Sequence, residues 1–425
     1  MKLITRFLYL PAACIALLSS CAEDQTESYD KFEDQVLEAY MTQKHPELLE
    51  NYQTEGGYYV DVLEAGDPDA KPVNDTICWV KFDFSGRDLS GNIALTRRAS
   101  EAYQLGTFTK YTHYVPYYRY CGTANSGLIE GTYLAMRNTL HLGEEYIKLK
   151  KEQDGFDLEP EFLLREGAKV RLYMPSRVVG SGGLGGDGGY EGQYSLSAKR
   201  PLIMEMEICG IDKNPLEAEG SLVDAFAKSN GEDGTEKRPT DPDDERHPYK
   251  PGVERWVSAC DTVAQLYVNV KYDPAETLAG DKFTFDFADP ENDVANKPYN
   301  VGYEPYNGSD LEKEISEALV KRFHGEGDDY KVYEGVDKLE SDSVGLDGTA
   351  KIWYIGRFLD GIIFDTNIDE VKEMIYGAGN YTEGTVKSYK PEDGGDLTAW
   401  YYTVPNLRYG QWAAFVTTST NAYGT

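Results

Sequence analysis

Basic side chains are scarce in this chain: 42 lysines and arginines stand against 73 aspartates and glutamates, a net charge of −31 over 425 residues. A polyanion of this kind repels phosphate backbones and anionic lipid surfaces, which excludes nucleic acid as a partner. Histidine (5) and cysteine (6) are also few, no two cysteines form a CxxC pair, and the histidines are scattered, so no zinc ligand set is expected. A Gly-x-Ser-x-Gly elbow is missing, as is a histidine paired with a nucleophile, which leaves acyl-transfer chemistry without support. The apolar run "FLYLPAACIALL" (7–18) is too short to cross a bilayer.

Two motifs are weaker than they look. "GSGGLG" (180–185) satisfies GxGxxG, but a further glycine-rich stretch follows instead of a helix, so no helix N-terminus is available for a phosphate. It reads as a loop, and no cofactor is expected. The acidic runs at 241–245 and 289–293 lack the turn glycine and closing glutamate of a calcium loop and read as solvated surface.

What is present starts with a leader. Lys2 and Arg6 precede the short apolar run, and "LSSC" follows it, so residues 1–20 read as a secretory signal. Leu18-Ser19-Ser20-Cys21 resembles a bacterial lipobox, which implies a lipoprotein acylated on Cys21 and anchored to the outer membrane of a bacterial envelope. A lipid-free secreted protein cut nearby is the alternative. Residues 21–50 read as a polar tether followed by an amphipathic helix, with Phe32, Val36, Leu37 and Tyr40 at helical spacing.

From Gly57 the period changes to two, with strand patterns in "YYVDVLEA", "ICWVKFDFSG", "GAKVRLYMPSRVVG" and "RPLIMEMEICGI". The first domain is set at 51–211. An acidic, proline- and glycine-rich linker with room for one short helix covers 212–254, and the second domain covers 255–425. The second domain opens with strand patterns in "TVAQLYVNVKY" and "DKFTFDF" and a helix pattern in "DLEKEISEALVKRF". Its hairpin "WYIGRFLDGIIFDTN" (353–367) turns at Asp360-Gly361 and delivers Phe364 and Asp365 side by side. Besides Cys14 and Cys21, the chain has Cys78, Cys121, Cys209 and Cys260; an exported protein permits one or two disulfides among them, and the spacing fixes none.

The hairpin, together with "GDLTAW" and the closing "YGQWAAFVTTSTNAYG", resembles the FKBP-type peptidyl-prolyl cis-trans isomerase domain over roughly 335–425. The resemblance implies one pocket lined by Tyr354, Phe364, Asp365, Leu397, Trp400 and Tyr423, serving proline-containing peptide segments or envelope client proteins. The family fold closes with one further strand. Here either the sequence is truncated or an earlier strand such as "TVAQLYVNVKY" fills that place. Residues 56–211 are similar to the same domain in outline, keeping Phe84, but the Phe-Asp pair falls on Ala94-Leu95, the tryptophan on Thr132, the loop tyrosine on Val179 and the last-strand aromatic on Met204. The fold implied is α+β: two FKBP-like domains, the first degenerate, each an antiparallel half-barrel sheet wrapped on a short helix. A non-catalytic surface lipoprotein binding peptide, protein or glycan on the same scaffold is the rival reading, and an assembly factor for other envelope proteins a third.

Overall fold

A computed structural model of the chain describes residues 31–75, 78–108, 112–122, 128–179, 200–229, 235–236, 256–260, 262–271, 314–315, 317–318, 343–409 and 412–424. The signal, Cys21, the GxGxxG stretch, both acidic runs and "DKFTFDF" lie outside the described residues, as does most of "DLEKEISEALVKRF". Among the described residues no helix is long and apolar enough to cross a membrane. The architecture combines helices with sheets whose pairing is antiparallel, except for one parallel pair named below. The chain divides into two compact units. Residues 1–108 and 114–213 make up most of the first, and 214–296 and 303–425 most of the second.

The first unit contains β1 (Tyr52–Gln53), β2 (Tyr58–Ala65), β3 (Trp79–Arg87), β4 (Ile93–Thr96), β5 (Tyr117–Tyr120), β6 (Leu140–His141), β7 (Glu161–Phe162), β8 (Ala168–Met174) and β9 (Leu202–Asp212). Seven of these form one sheet in the order β1-β2-β8-β9-β3-β4, with β5 also on β3. Strict alternation explains its two faces. Val60, Val62, Val170, Leu172, Met204, Met206 and Ile208 point into one core, and Glu205, Lys169 and Arg171 point away from it. β9 joins the sheet together, pairing with β8 along one edge and with β3 along the other.

Residues 31–44 form the expected helix, but its buried stripe is Glu33, Leu37 and Met41, while Phe32 and Val36 face solvent. Glu33 is buried because both its oxygens accept bonds from Ser176, one from the backbone amide at 2.9 Å and one from the hydroxyl at 2.8 Å.

The second unit contains β10 (Thr235–Glu236), β11 (Trp256–Ser258), β12 (Leu266–Lys271), β13 (Ala350–Ile352), β14 (Ile355–Arg357), β15 (Ile363–Thr366), β16 (Lys387–Tyr389) and β17 (Trp412–Thr417). Its strands fall into three sheets: β10-β11-β12-β17, β13-β16 and β14-β15. The β10–β11 pair is the parallel one. β12 pairs along all six of its residues with β17, just as β2 pairs with β8 in the first unit. "TVAQLYVNVKY" therefore supplies the counterpart of the first unit's opening strand and does not fill the place of a last one. Among the described residues no strand of the second unit does what β9 does in the first.

The stretch read as a linker with one short helix holds instead a 15-residue helix, Pro215–Ser229. Val223, Phe226 and Ala227 on it are buried against Trp256 and Val416, so it belongs to the second unit's core. Its buried apolar positions recur at i, i+3 and i+4, the spacing of one helix face.

Candidate functional site

Several short elements of the second unit deliver aromatic rings to one neighbourhood. The first is the β14–β15 hairpin, in register Ile355↔Thr366, Gly356↔Asp365 and Arg357↔Ile363, with a bulge after Gly356. Its turn is closed by the Phe358 amide donating to the Ile362 carbonyl at 2.9 Å, and Gly361 takes a φ of 90°, a left-handed conformation open to glycine. A Cβ on Gly356 would stand 2.9 Å from Cζ of Phe364, so the Phe364 ring lies directly over that backbone and needs glycine there.

Tyr354 is fixed from both sides of its backbone: its amide donates to Asn367 Oδ1 at 2.9 Å and its carbonyl accepts from the Thr366 hydroxyl at 2.7 Å. Asn367 is itself anchored to the carbonyls of Ile352 and Thr385. The phenol so positioned donates to Asp365 Oδ2 at 2.9 Å. Burial holds the Tyr354 hydroxyl well above its ordinary pKa, and its bond to Asp365 and the charges of Asp365 and Tyr423 push the same way, so it stays a donor at neutral pH.

The helix Thr398–Thr403 brings the tryptophan. Leu397 caps its start, and the Leu397 carbonyl accepts from the amides of Trp400 and Tyr401. Trp400, only 6% exposed, stands edge-on to Tyr354 at 5.7 Å and to Tyr389 at 5.4 Å, and Leu397 packs on the same cluster. The turn Ser419–Asn421 is tied back through the Ala422 and Gly424 amides, both donating to the Ser419 carbonyl, and this presents Tyr423. The Tyr423 ring meets Phe364 edge-on at 5.5 Å, and Phe364 meets Phe358 at 4.8 Å. Partial burial and the Asp365 charge raise the Tyr423 hydroxyl as well.

All six residues expected to share a pocket are thus neighbours, in two tiers. Trp400, Tyr389, Leu397 and Tyr354 form a packed floor. Phe358 (44% exposed), Phe364 (36%) and Tyr423 (64%) form an open rim, with Asp365 held from the floor. Phe358 is stacked on His113 at 4.8 Å, so Phe364 and Tyr423 are the rings of the rim left open to solvent. Phe358 and Tyr389 were not anticipated from the sequence. Phe358 had a signal, being an aromatic inside a polar hairpin turn; Tyr389, on a separate strand, had none.

The first unit repeats the frame without the groups. Its β3–β4 hairpin runs in register Ser85↔Thr96, Gly86↔Leu95 and Arg87↔Ile93, with a bulge after Gly86. Leu95 therefore stands where Asp365 stands and Ala94 where Phe364 does. A Cβ on Gly86 would lie 2.8 Å from Leu95 Cγ, so here the side chain over the glycine comes from the Asp365 position and not from the Phe364 position. Thr132 is buried on the helix Glu130–Arg137 with its hydroxyl unpartnered among the described residues, and Val179 and Met204 are buried. Phe84 packs against Phe82 and Tyr117. Among the described residues no cluster of three or more His, Cys, Asp or Glu could hold a metal ion.

No family model matches this chain, and no curated protein does. Solved structures do. A peptidyl-prolyl cis-trans isomerase from Pseudomonas syringae pv. tomato str. DC3000 is 18% identical with a TM-score of 0.25, over 44% of this chain and 96% of that one. FkpA from Escherichia coli is 13% identical with a TM-score of 0.26, over 50% and 72%. AtFKBP13 is 16% identical with a TM-score of 0.24, over 38% and 96%.

Proposed function

We propose that the second unit is an FKBP-like domain that binds proline-containing peptide segments and accelerates cis/trans exchange of Xaa-Pro bonds, in a protein anchored to the bacterial outer membrane through lipid on Cys21. The observation that carries the reading is the Tyr354 hydroxyl bonded to Asp365 at 2.9 Å inside a cage of Phe364, Trp400 and Tyr423.

The chemistry asked of such a cage is modest. Rotation about an Xaa-Pro amide is opposed by C–N resonance, a barrier of ~18–20 kcal/mol, and takes tens of seconds or longer unaided. The planar amide is more dipolar than the twisted one, so removing water from it favours the twisted form. Trp400 and Phe364 receive the proline ring and displace that water. The Tyr423 hydroxyl donates to the carbonyl of the twisting bond. Asp365, an acceptor held in place by Tyr354, takes an N–H of the bound segment and fixes its orientation. Neither a nucleophile nor a cofactor takes part.

The wide exposure of Phe358, Phe364 and Tyr423 also suits a surface that holds peptide, protein or glycan without catalysis, and one experiment separates the two readings. Exchange in a short Xaa-Pro peptide is measured by NMR with the wild type and with Asp365→Ala. Acceleration by the wild type, reduced in the variant, is the isomerase result. Peptide-induced shifts at Trp400 and Tyr423 without acceleration leave a binding domain, and no shifts at all refute the site. The first unit, by the same reasoning, is an FKBP-like domain with a vacated site, able to bind or scaffold and not to isomerise. Anchoring is tested by Cys21→Ser, which is expected to move the protein from membrane pellets to the soluble fraction.

A further inference from the structure

Two of the four cysteines that follow Cys21 stand directly across from each other in the first unit. β3 and β5 pair antiparallel through Val80↔Arg119 and Trp79↔Tyr120. One step further along that ladder Cys78 opposes Cys121, and the Cys121 amide donates to the Cys78 carbonyl at 2.9 Å. Directly opposed residues of an antiparallel pair project from the same face with Cα atoms about 4.5–5.5 Å apart, and disulfides span about 4.4–6.8 Å between Cα atoms.

The surroundings agree. Both side chains are buried, at 1% and 0% exposure. Cys78 Sγ has the Val73 carbonyl at 3.6 Å and Cys121 Sγ has Met136 Sδ at 3.8 Å, both feeble partners for a thiol. Arg137 acts on both thiols and Cys78 acts on Cys121, so the two sulfurs share one pocket of the core. In contrast, Cys209 lies at the irregularity where β9 passes β3 and its sulfur turns to its own strand, 3.6 Å from the Glu207 carbonyl. Cys260 belongs to the second unit, beside the Thr262 hydroxyl.

We propose that Cys78 and Cys121 are joined by a disulfide when the chain folds in an oxidising medium, clasping the base of the segment that carries the β3–β4 hairpin and β5. The oxidant is a disulfide of a small thiol or of a dithiol oxidoreductase. One cysteine thiolate attacks it, forming a mixed disulfide and releasing one thiolate. The second cysteine thiolate then displaces the other oxidant sulfur, so two protein thiols are oxidised and one disulfide is reduced to two thiolates, which take up the two protons the protein thiols gave up. The exchange precedes final packing, because burial pushes the Cys121 thiol up to about 12 and raises Cys78 as well, leaving little thiolate once the core is closed. The pairing concerns the first unit and does not depend on the isomerase reading of the second.

The test uses residues 21–425 with Cys21→Ser, reduced and unfolded, then refolded in a mixture of reduced and oxidised glutathione. After thiol blocking and digestion, mass spectrometry is expected to find the Cys78 peptide linked to the Cys121 peptide, with Cys209 and Cys260 blocked as thiols. Dithiothreitol is expected to raise the unfolded-to-folded ratio of the first unit by roughly several hundredfold, since the bond closes a loop of about forty residues. Cys121→Ala should abolish that sensitivity to reductant. Four blocked thiols after refolding, or a bond from either cysteine to Cys209 or Cys260, overturns the proposal.

Discussion

The two hairpins Ser85–Thr96 and Ile355–Thr366 share a register and a bulge after the same Gly-Arg step, yet they support opposite arrangements. In the second unit, position 365 offers a carboxylate to Tyr354 at 2.9 Å and position 364 lifts a ring into the open. In the first unit, Leu95 and Ala94 occupy those places. The polar groups of that unit gather instead on the sheet's other face, where Arg98 bonds Asp83 at 2.7 Å and Glu205 at 3.0 Å, and Glu205 also meets Lys169 and Arg171. One backbone frame therefore carries either an open aromatic cluster or a closed sheet, depending on a few side chains and on whether a strand such as β9 joins the edges. What a frame of this type does is decided by the groups set on it.

The largest expected effect lies in the first unit. Arg98→Ala removes the partner of Asp83, which is 1% exposed, and leaves a buried carboxylate uncompensated. Breaking such a pair is worth ~3–5 kcal/mol. Denaturant unfolding should show the loss in the first unit's transition and leave the second unit's in place; a variant as stable as the wild type would mean the network contributes nothing to that unit's stability.

Next comes Phe364→Ala. Full burial of a phenylalanine would make its loss worth ~3–5 kcal/mol, but this ring is 36% exposed, so a destabilisation of about 1–2 kcal/mol is expected. Peptide binding should fall far more than stability does. Equal losses in both would make the ring a core element and erase the contrast with Ala94.

Acid should also separate the units. Burial alone would raise the Glu205 carboxyl, but the charges of Arg98, Lys169 and Arg171 and the bond from Arg171 outweigh it and bring it down to about 2 from an ordinary 4.5. A group whose pKa is lower folded than unfolded stabilises fully above its unfolded value, so this contribution is present above about pH 4.5 and is lost as pH falls toward 2. The first unit's denaturant midpoint should drop across that window, and Glu205→Gln should flatten the drop. An unchanged pH profile in the variant would assign the acid sensitivity elsewhere.

The smallest effect on folding, and the sharpest on function, is expected for Asp365→Ala. A partly exposed carboxylate contributes within about 0.5 kcal/mol to stability, while its loss should slow Xaa-Pro exchange by about tenfold or more, the equivalent of ~1.4 kcal/mol of barrier. Exchange at the wild-type rate would make Asp365 a structural partner of Tyr354 and nothing more.

Strand alternation was legible in the chain wherever one face of a sheet meets a core, as in "LIMEMEI", because period two leaves no other consistent burial. The order Tyr354, Phe364-Asp365, Leu397, Trp400, Tyr423 could also be read along the chain, since each residue sits at a local signal: a strand, a turn glycine, a helix start or a terminal loop. The helix Pro215–Ser229 was hidden by its setting among acidic, proline- and glycine-rich stretches, although Val223, Phe226 and Ala227 recur at helical spacing and are buried. The stripe of the first helix was misjudged because local spacing admits two adjacent faces and Ser176, distant in sequence, selects the one carrying Glu33.

The sequence by itself determined the net charge, the leader pattern, the turn glycines and the frame of both hairpins, since these depend on composition and on residues within a few positions of one another. Only the tertiary structure decided that Phe358 and Tyr389 join the aromatic cluster, that Cys78 faces Cys121, and that β12 takes the place of an opening strand. Phe358 reaches Phe364 within one hairpin, but the others are contacts between segments farther apart along the chain, and such contacts are set by which apolar faces can be buried together, a quantity no local pattern contains.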